Sequence, residues 1–265
     1  MKIQVAVATV GQKDFSLYEK MNIKADAVIA NQTDCFDLQQ IGKDGFDVCM
    51  ISTKTKGVGI NRNLAINLSD ADILLFADDD ITYYDKAVLA VKEAFETLSD
   101  ADVIIFGLDY TKNGEIFDKR HCKIKKLKLW NSLKYGAARI AVKKAFLEKN
   151  NISFSRLFGG GCIYGSGEDS IFLCELFRAG AKVYSHTHVL GKCAKDESSW
   201  FKGFDEKYMF DKGAFIACAF PKSKHLVKWY FVYKFSKKSE FTFLKTLGLI
   251  NDGIKSFKDL KVFIK

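Results

Sequence analysis

The chain has 265 residues, of which 48% are hydrophobic and 28% charged, and its net charge is +9. This composition is typical of one globular domain with a full hydrophobic core and excludes a predominantly disordered chain. The longest apolar runs span about seven residues, far fewer than the roughly 20 of a membrane-spanning helix, and the N-terminus lacks a signal-peptide pattern. The seven cysteines are odd in number and widely spaced, which indicates free thiols in a reducing cytoplasm.

Short apolar segments alternate with helix-like segments from the N-terminus onward, which is typical of βαβ units and predicts an α/β fold. The predicted strands are residues 3–10, 25–30, 46–52, 71–77, 101–108, 135–142 and 182–189. The predicted helices are residues 15–21, 60–68, 84–98, 143–149 and 170–180, and a basic hairpin is expected over residues 113–129.

The glycines at 57 and 59 precede a predicted helix that carries Arg62 and Asn63 near its start. The N-terminus of a helix presents free backbone N–H groups and a partial positive charge, and a guanidinium adds a fixed set of donors. The segment therefore predicts an anion site. The alternative is that Arg62 is a structural ion-pair partner.

Three consecutive aspartates, Asp78, Asp79 and Asp80, follow directly on the apolar run 71–77. Ligands of open α/β sheets collect beyond the carboxyl ends of strands, and strand alternation predicts that Asp78 and Asp80 share a face while Asp79 points away. Two like charges roughly 7 Å apart repel by about 2 kcal/mol at an effective dielectric of about 20. Mg²⁺ or Mn²⁺, which prefers carboxylate oxygens, would turn that repulsion into attraction. A solvated acidic turn is the alternative.

Residues 158–169 hold five glycines and end in Glu168 and Asp169, directly before a helical pattern. Glycines let the backbone approach a ligand closely, and carboxylates are favoured in the first turn of a helix. The segment therefore predicts a ligand loop followed by two functional carboxylates. The alternative is helix capping, worth about 1 kcal/mol.

The last predicted strand places His186 and His188 on one face. Together with Cys193 they suggest a zinc site, but the sequence offers no fourth ligand, and we set this interpretation aside.

Three motifs follow one another in a fixed order: Gly59-Ile60-Asn61-Arg62-Asn63, Phe76-Ala77-Asp78-Asp79-Asp80, and Gly165-Ser166-Gly167-Glu168-Asp169 with Arg178 beyond. With these motifs, residues 3–190 resemble family-2 glycosyltransferases of the bacterial polysaccharide type, whose strand-end motif is Asp-x-Asp. The resemblance implies the glycosyltransferase-A fold, a single Rossmann-like nucleotide-sugar-binding domain with a mixed central sheet flanked by helices. Residues 1–220 would form this catalytic domain and residues 221–265 a basic, aromatic, helical extension.

The resemblance implies a metal-dependent, inverting transfer of a sugar from a nucleoside-diphosphate sugar, with UDP favoured, to a glycan or lipid-linked acceptor in surface polysaccharide synthesis. Asp80 would bind Mg²⁺ or Mn²⁺ with help from Asp78, and either His186 or His188 could add a further ligand, with His186 favoured. Asp169, next to Glu168, would be the general base for the acceptor hydroxyl, a role typically worth 10² to 10⁴-fold. The other candidates for donor binding are Thr9, Asp34, Gly59, Arg62, Asn63, Asp79, Gly160 and Gly161.

The chain departs from the family pattern after its second strand, where members usually show an acidic turn and only Asp34 remains. The sequence therefore does not identify the residue that contacts the nucleobase. Beyond the last strand, Trp200 is a candidate for stacking on a sugar ring, and Lys207 or Lys212 for closing over the diphosphate as a lid. The alternative is a helix that packs its aromatic residues inward.

The extension over residues 221–265 carries 11 lysines and three acidic residues, a net charge of +8, interleaved with aromatic residues. Lysines beside aromatic side chains suit an anionic leaflet, where each contributes about 1 kcal/mol. We therefore hypothesise peripheral binding to the inner face of the cytoplasmic membrane. An amphipathic helix that covers the core is the alternative.

Two rival functions use the same features. A nucleic-acid-binding module would explain the basic segments, but no nucleic-acid motif is present and we expect no nucleic-acid partner. A sugar-phosphate nucleotidyltransferase would also place aspartates on a metal, but it would not need the Glu168-Asp169 pair.

Overall fold

The structure is a computed structural model that describes residues 1–112, 115–120, 123–194 and 203–259. Its strands are β1 (Ile3–Val10), β2 (Asp26–Gln32), β3 (Asp37–Lys43), β4 (Phe46–Thr53), β5 (Ile73–Asp78), β6 (Ile81–Tyr83), β7 (Val103–Lys112), β8 (Glu115–Arg120), β9 (Lys125–Lys126), β10 (Ile140–Lys143) and β11 (Val183–Ala194). Its helices are α1 (Ser16–Lys20), α2 (Val58–Leu68), α3 (Ala87–Thr97), α4 (Leu129–Ser132), α5 (Lys144–Asn150), α6 (Glu168–Arg178), α7 (Glu206–Ala219), α8 (Lys224–Ser236) and α9 (Phe243–Ser256).

The described strands form one mixed sheet in the order β3-β4-β2-β1-β5-β10-β7-β11-β6, with β8 beside β7 and β9 beside β11. The four strands β4, β2, β1 and β5 are parallel, as are β7 and β11. Between these parallel groups, β10 runs antiparallel to both β5 and β7. The predicted α/β class, with a mixed central sheet flanked by helices, is confirmed.

Side chains of the central strands alternate between two cores because successive residues of a strand face opposite sides of the sheet. Val5, Val7 and Leu75 pack with α1 and α3 on one face. Leu74 and Phe76 pack with α2, α5 and α6 on the other face. Asp78 follows Leu74 and Phe76 at the same alternation, and its side chain therefore lies on the face that carries α2 and α6.

The described C-terminal residues, up to 259, pack against the rest of the domain. Helices α7, α8 and α9 build a third hydrophobic core together with Phe158 and Tyr164. A side chain at Gly213 would collide with the Ile250 carbonyl, and one at Gly253 with the Phe210 carbonyl, so α7 and α9 pack backbone to backbone. Within the described parts of the chain, every helix is too short or too polar to span a bilayer.

The edge strand β3 was not predicted. Its seven residues, Asp37-Leu38-Gln39-Gln40-Ile41-Gly42-Lys43, show no apolar alternation, and most of them are exposed. It pairs antiparallel with β4 through Asp44 and Gly45, which both have positive φ. An Asp-Gly pair of this kind is a strong hairpin signal in a sequence.

Candidate active site

The predicted site residues meet where the parallel strands end. Ala8 on β1 pairs with Asp78 on β5, while Gln32 on β2 pairs with Thr53 on β4. The carboxyl ends of these strands therefore form one edge of the sheet. This is the edge at which open α/β sheets bind ligands.

Arg62 is the centre of the cluster, and its side chain is only 3% exposed. One guanidinium nitrogen donates to Asp78 Oδ1 at 2.8 Å and the other to Asp169 Oδ1 at 2.6 Å. Glu168 Oε1 lies 3.9 Å from the second nitrogen, and the guanidinium carbon sits 5.1 Å from the centre of the Phe154 ring. A single side chain thus joins the aspartate triplet of β5 to the carboxylates at the start of α6.

The charges in this cluster shift one another's pKa values. Burial would lower the pKa of Arg62, but Asp169, Asp78 and Glu168 together raise it above its ordinary value, so the guanidinium stays charged. Burial raises the pKa of Asp169, against the pull of Arg62. Burial also raises the pKa of Glu168 to about 7, with help from the charge of Asp169. The cluster therefore holds a carboxyl group that titrates near neutrality.

Glu168→Gln is expected to raise the melting temperature above pH 7 and to change it little near pH 5. The folded state holds the Glu168 proton more tightly than the unfolded chain, whose pKa is near 4.5, so the stability from this group falls as pH rises from 4.5 to about 7. A glutamine cannot ionise and escapes that loss. Thermal unfolding of both proteins from pH 5 to pH 8 measures the difference.

Glu96→Gln is the matched control for this experiment because Glu96 is exposed on α3. Its melting temperature should follow the wild-type curve across the pH range. A constant offset between Glu168→Gln and wild type at every pH would show that the ionisation of Glu168 does not set the effect.

Asp79 and Thr9 connect β5 to β1. The Thr9 hydroxyl donates to Asp79 Oδ2 at 2.5 Å and accepts from the Gln12 amide at 3.0 Å. Asn61, on the buried side of α2, donates to the carbonyls of Thr9 and Ala30, each at 3.0 Å. These bonds fix the end of β1 beneath the site, and Asn61 was not among the predicted residues.

Asp80 lies just beyond the end of β5, in a turn, so strand alternation does not reach it. The Cys193 thiol donates to its Oδ2 at 3.3 Å, and its backbone carbonyl accepts from Ala194 at 3.0 Å. The enclosing protein and the charges of Asp78 and Asp79 raise the pKa of Asp80 to about 6. We predicted that Asp78 and Asp80 share a face and that Asp79 alone points away. In the structure each aspartate has a different partner. Asp78 bonds Arg62, Asp79 bonds Thr9, and Asp80 bonds Cys193.

The donor set at this turn fits a divalent cation. Mg²⁺ is commonly bound by one or two carboxylates and completed by water and phosphate oxygens. Asp80 and Asp78 supply that number. Burial and, after it, repulsion from Asp78 raise the pKa of Asp80, and a cation would relieve that repulsion. Within the described residues, no group of three or more His, Cys, Asp or Glu side chains converges as a metal site.

His186 is not brought to the aspartates, which corrects its prediction as a metal ligand. It is buried against the Phe106 ring, 6.0 Å between centroids, and burial lowers its pKa. The strand β11 continues to Ala194, and Cys193 is the residue that reaches Asp80. Cys193 lies seven positions beyond His186 along β11, a span of roughly 20 Å.

The start of α2 is packed against protein, which corrects its prediction as an open anion site. The N–H of Gly57 donates to Gln32 Oε1 at 3.1 Å, and the N–H of Val58 donates to the Gly160 carbonyl at 3.2 Å. A Cβ on Gly161 would lie 3.3 Å from the Gly57 nitrogen. At Gly160 and Gly161 the backbone of the glycine loop therefore packs directly on the first residues of α2.

Gly59 and Asn63 serve the same packing. A Cβ on Gly59 would collide with the Ser155 carbonyl. The Asn63 amide donates to the Phe154 carbonyl at 2.9 Å and accepts from the Phe154 N–H at 2.8 Å. Both polar ends of Asn63 are thus engaged by the segment that carries the Phe154 ring under Arg62. These residues position Arg62.

The helix α7 holds the loop that leads into α6. Asp211 is buried and accepts from the Gly165 N–H at 2.8 Å and from Lys207 at 2.5 Å. Lys212 donates to the Ser166 hydroxyl at 3.1 Å, and burial lowers its pKa to about 8. The two predicted lid lysines are therefore engaged in this anchor, and Trp200 lies outside the described residues.

Asp211→Ala is expected to lower stability by about 1 to 3 kcal/mol, because it removes a buried carboxylate that accepts from both the Gly165 N–H and Lys207. Asp211→Asn keeps an acceptor oxygen and should lose less. Urea unfolding measures both variants. Equal losses for alanine and asparagine would show that the anchor depends on the negative charge next to Lys207 instead of the bond to Gly165.

Asp34 is exposed in the loop after β2, at the same edge of the sheet. The neighbouring Thr33 N–H donates to the Thr53 carbonyl at 2.9 Å, which fixes the base of this loop. Asp34 is therefore positioned at the rim of the edge, outside the Arg62 cluster.

Comparisons with known proteins point to one family of glycosyltransferases. Residues 35–156 match the family model for glycosyl transferase family 2. That range includes Arg62 and the aspartate triplet and ends before Glu168. No curated protein sequence matches the chain significantly.

The fold is similar to solved structures of S. aureus TarS. The 1–349 fragment in complex with UDP-GlcNAc shares 14% identity at a TM-score of 0.62, over 100% of this chain and 93% of that chain. The complex of the same fragment with UDP gives 14% identity and 0.61 over the same shares. A longer TarS structure gives 15% identity and 0.59 over 91% of this chain and 44% of that chain. The family model over residues 35–156 and the fold shared with these structures support the resemblance that the sequence motifs indicate, to family-2 glycosyltransferases with the glycosyltransferase-A fold.

Proposed function

We propose that the protein transfers a sugar from a UDP-sugar to a hydroxyl group of a glycan or lipid-linked acceptor, with inversion, in surface polysaccharide synthesis. The observation that carries the proposal is the buried Arg62, which bonds Asp78 on the donor side and Asp169 on the acceptor side. The TarS complexes with UDP-GlcNAc and UDP support a UDP-sugar as donor.

The donor side is the turn at the end of β5. Asp80 and Asp78 would hold Mg²⁺ or Mn²⁺, which supplies positive charge for the diphosphate that leaves. Arg62 bonds Asp78 Oδ1 and so fixes the direction of its other oxygen. Thr9 fixes Asp79 in the same way. The side chains around the donor are thus held in place before the donor binds.

The acceptor side is the first turn of α6. Asp169 would take the proton from the acceptor hydroxyl. As it does so, the hydroxyl oxygen of the acceptor bonds to the anomeric carbon of the donor, and the bond from that carbon to the diphosphate breaks. The nucleoside diphosphate leaves from the opposite face, so one displacement inverts the configuration. Burial raises the pKa of Asp169 and strengthens it as a base, while Arg62 keeps it ionised.

The test is a screen of UDP-sugars for binding and for UDP release, with Mn²⁺ or Mg²⁺ added. We expect wild type to bind a UDP-sugar and to hydrolyse or transfer it, and Asp80→Ala to lose both activities and the metal-dependent part of UDP binding. Asp47→Asn is the control because Asp47 is exposed at the opposite end of β4.

Two results would contradict the proposal. One is metal-independent UDP binding that is the same for wild type and Asp80→Ala. The other is release of diphosphate from a nucleoside triphosphate and a sugar phosphate, which is the reaction of a nucleotidyltransferase.

A further inference from the structure

The helix α8 displays four large apolar side chains in one stripe. Leu226, Trp229, Tyr230 and Tyr233 recur at the spacing of one helical face and are 78%, 49%, 57% and 58% exposed. The first turn of α9 extends the stripe with Phe243 and Leu244, which are 43% and 77% exposed. We call these six residues the aromatic face. Large contiguous apolar patches on the surface of soluble proteins mark interaction sites.

The opposite side of α8 anchors the helix. Val227, Val232 and Phe235 are buried in the third core, and the Trp229 ring stacks on Phe243 of α9 with 6.3 Å between centroids. Since α9 also packs closely on α7, the aromatic face is held at a fixed place on the domain. The aromatic face is therefore the solvent-exposed side of a helix whose other side is already packed in the third core.

Lysines surround the aromatic face. Lys228, Lys234 and Lys237 lie 4.9, 5.8 and 4.2 Å from the ring centres of Trp229, Tyr230 and Tyr233. The helix α8 has no acidic residue. The surface therefore combines protruding apolar groups with positive charge, the pattern of helices that lie in the interface of an anionic membrane.

We propose that the aromatic face docks the protein onto an anionic lipid bilayer. A second copy of the chain fits the face less well, because a two-fold symmetric contact would bring the lysines of both copies together. A single-stranded nucleic acid would use the rings for stacking but gives no role to the protruding Leu226 and Leu244. Docking would bring the protein to the surface that carries lipid-linked acceptors, and it is independent of which donor is used.

The test is flotation of the full chain with vesicles of phosphatidylcholine, with and without phosphatidylglycerol. We expect at least tenfold more protein on the anionic vesicles, with recovery falling as salt is raised. The combined variant Leu226→Ser/Trp229→Ser/Leu244→Ser should fall to the level of neutral vesicles, as should Lys228→Gln/Lys234→Gln/Lys237→Gln. Removal of residues 221–265 is unsuitable because it would open the contact between α7 and α9.

Leu89→Ser/Phe117→Ser is the matched control, since these side chains are 51% and 55% exposed on other parts of the fold. It should float like wild type. Equal recovery of wild type on neutral and anionic vesicles would overturn the proposal, as would recovery of Leu226→Ser/Trp229→Ser/Leu244→Ser at the wild-type level. If this triple variant loses a dimer or oligonucleotide binding but still floats, the aromatic face binds one of those partners instead. Binding of UDP is measured in parallel, and its absence would count against the proposed transferase reaction and not against docking.

Discussion

Asp169→Asn is expected to lower the rate of sugar transfer by about 10² to 10⁴-fold, the range typical of losing a general base, and to leave donor binding nearly unchanged. Asparagine has the shape of aspartate and still accepts the bond from Arg62, so the cluster can keep its geometry. It cannot take up the acceptor proton. Transfer kinetics and calorimetric binding of UDP separate the two effects.

Glu175→Gln is the control for this variant because Glu175 lies on the same helix but pairs with Arg178 on the surface. It should transfer at the wild-type rate. Full transfer by Asp169→Asn would remove Asp169 from the role of base. Loss of UDP binding together with transfer would show that the substitution disturbs the donor side through Arg62.

Arg62→Met is expected to lower the free energy of unfolding by about 3 to 5 kcal/mol, because Arg62 is buried and its removal leaves the largely enclosed Glu168 and Asp169 without their counter-charge. Asp78 and Asp169 would both lose their bond to the guanidinium, and Glu168 would lose the nearest cation. Methionine has similar volume and can still cover Phe154, so the loss reports on charge more than on packing. Urea unfolding at pH 8 measures it.

Arg62→Lys keeps the charge but cannot bond two carboxylates at once in the way a planar fork does, so its loss should be intermediate. Lys24→Met, at the exposed pair with Asp85, should cost less than about 1 kcal/mol. A loss as small for Arg62→Met as for Lys24→Met would show that the three carboxylates do not depend on the Arg62 guanidinium.

Much of the fold followed from the sequence because its strands are buried on both sides and its helices repeat with helical spacing. The edge strand β3 did not, because it is exposed and polar, although Asp44-Gly45 gave a turn signal. The strand predicted over 135–142 is found only at β10 (Ile140–Lys143). Its antiparallel direction between parallel strands was not predicted, since direction depends on pairing partners far away in the chain.

The candidate site was predicted in part. Arg62, Asp78, Glu168 and Asp169 were identified from motifs, and the structure brings them together. The function of Asn63 and Gly59 in packing could not be predicted, because their partners lie at 154–155, far along the chain. The same holds for Asp211, whose bond to Gly165 spans 46 positions.

The sharing of Arg62 between Asp78 and Asp169 has a consequence for how this site tolerates change. Two carboxylates that bond the same guanidinium are energetically coupled, so the effects of substituting both should not add. Once one is replaced, the other keeps the whole guanidinium and the second substitution acts on a different starting state. The donor-side and acceptor-side residues of the proposed reaction are therefore not separate modules, and we expect a change of substrate made on one side to require compensation on the other.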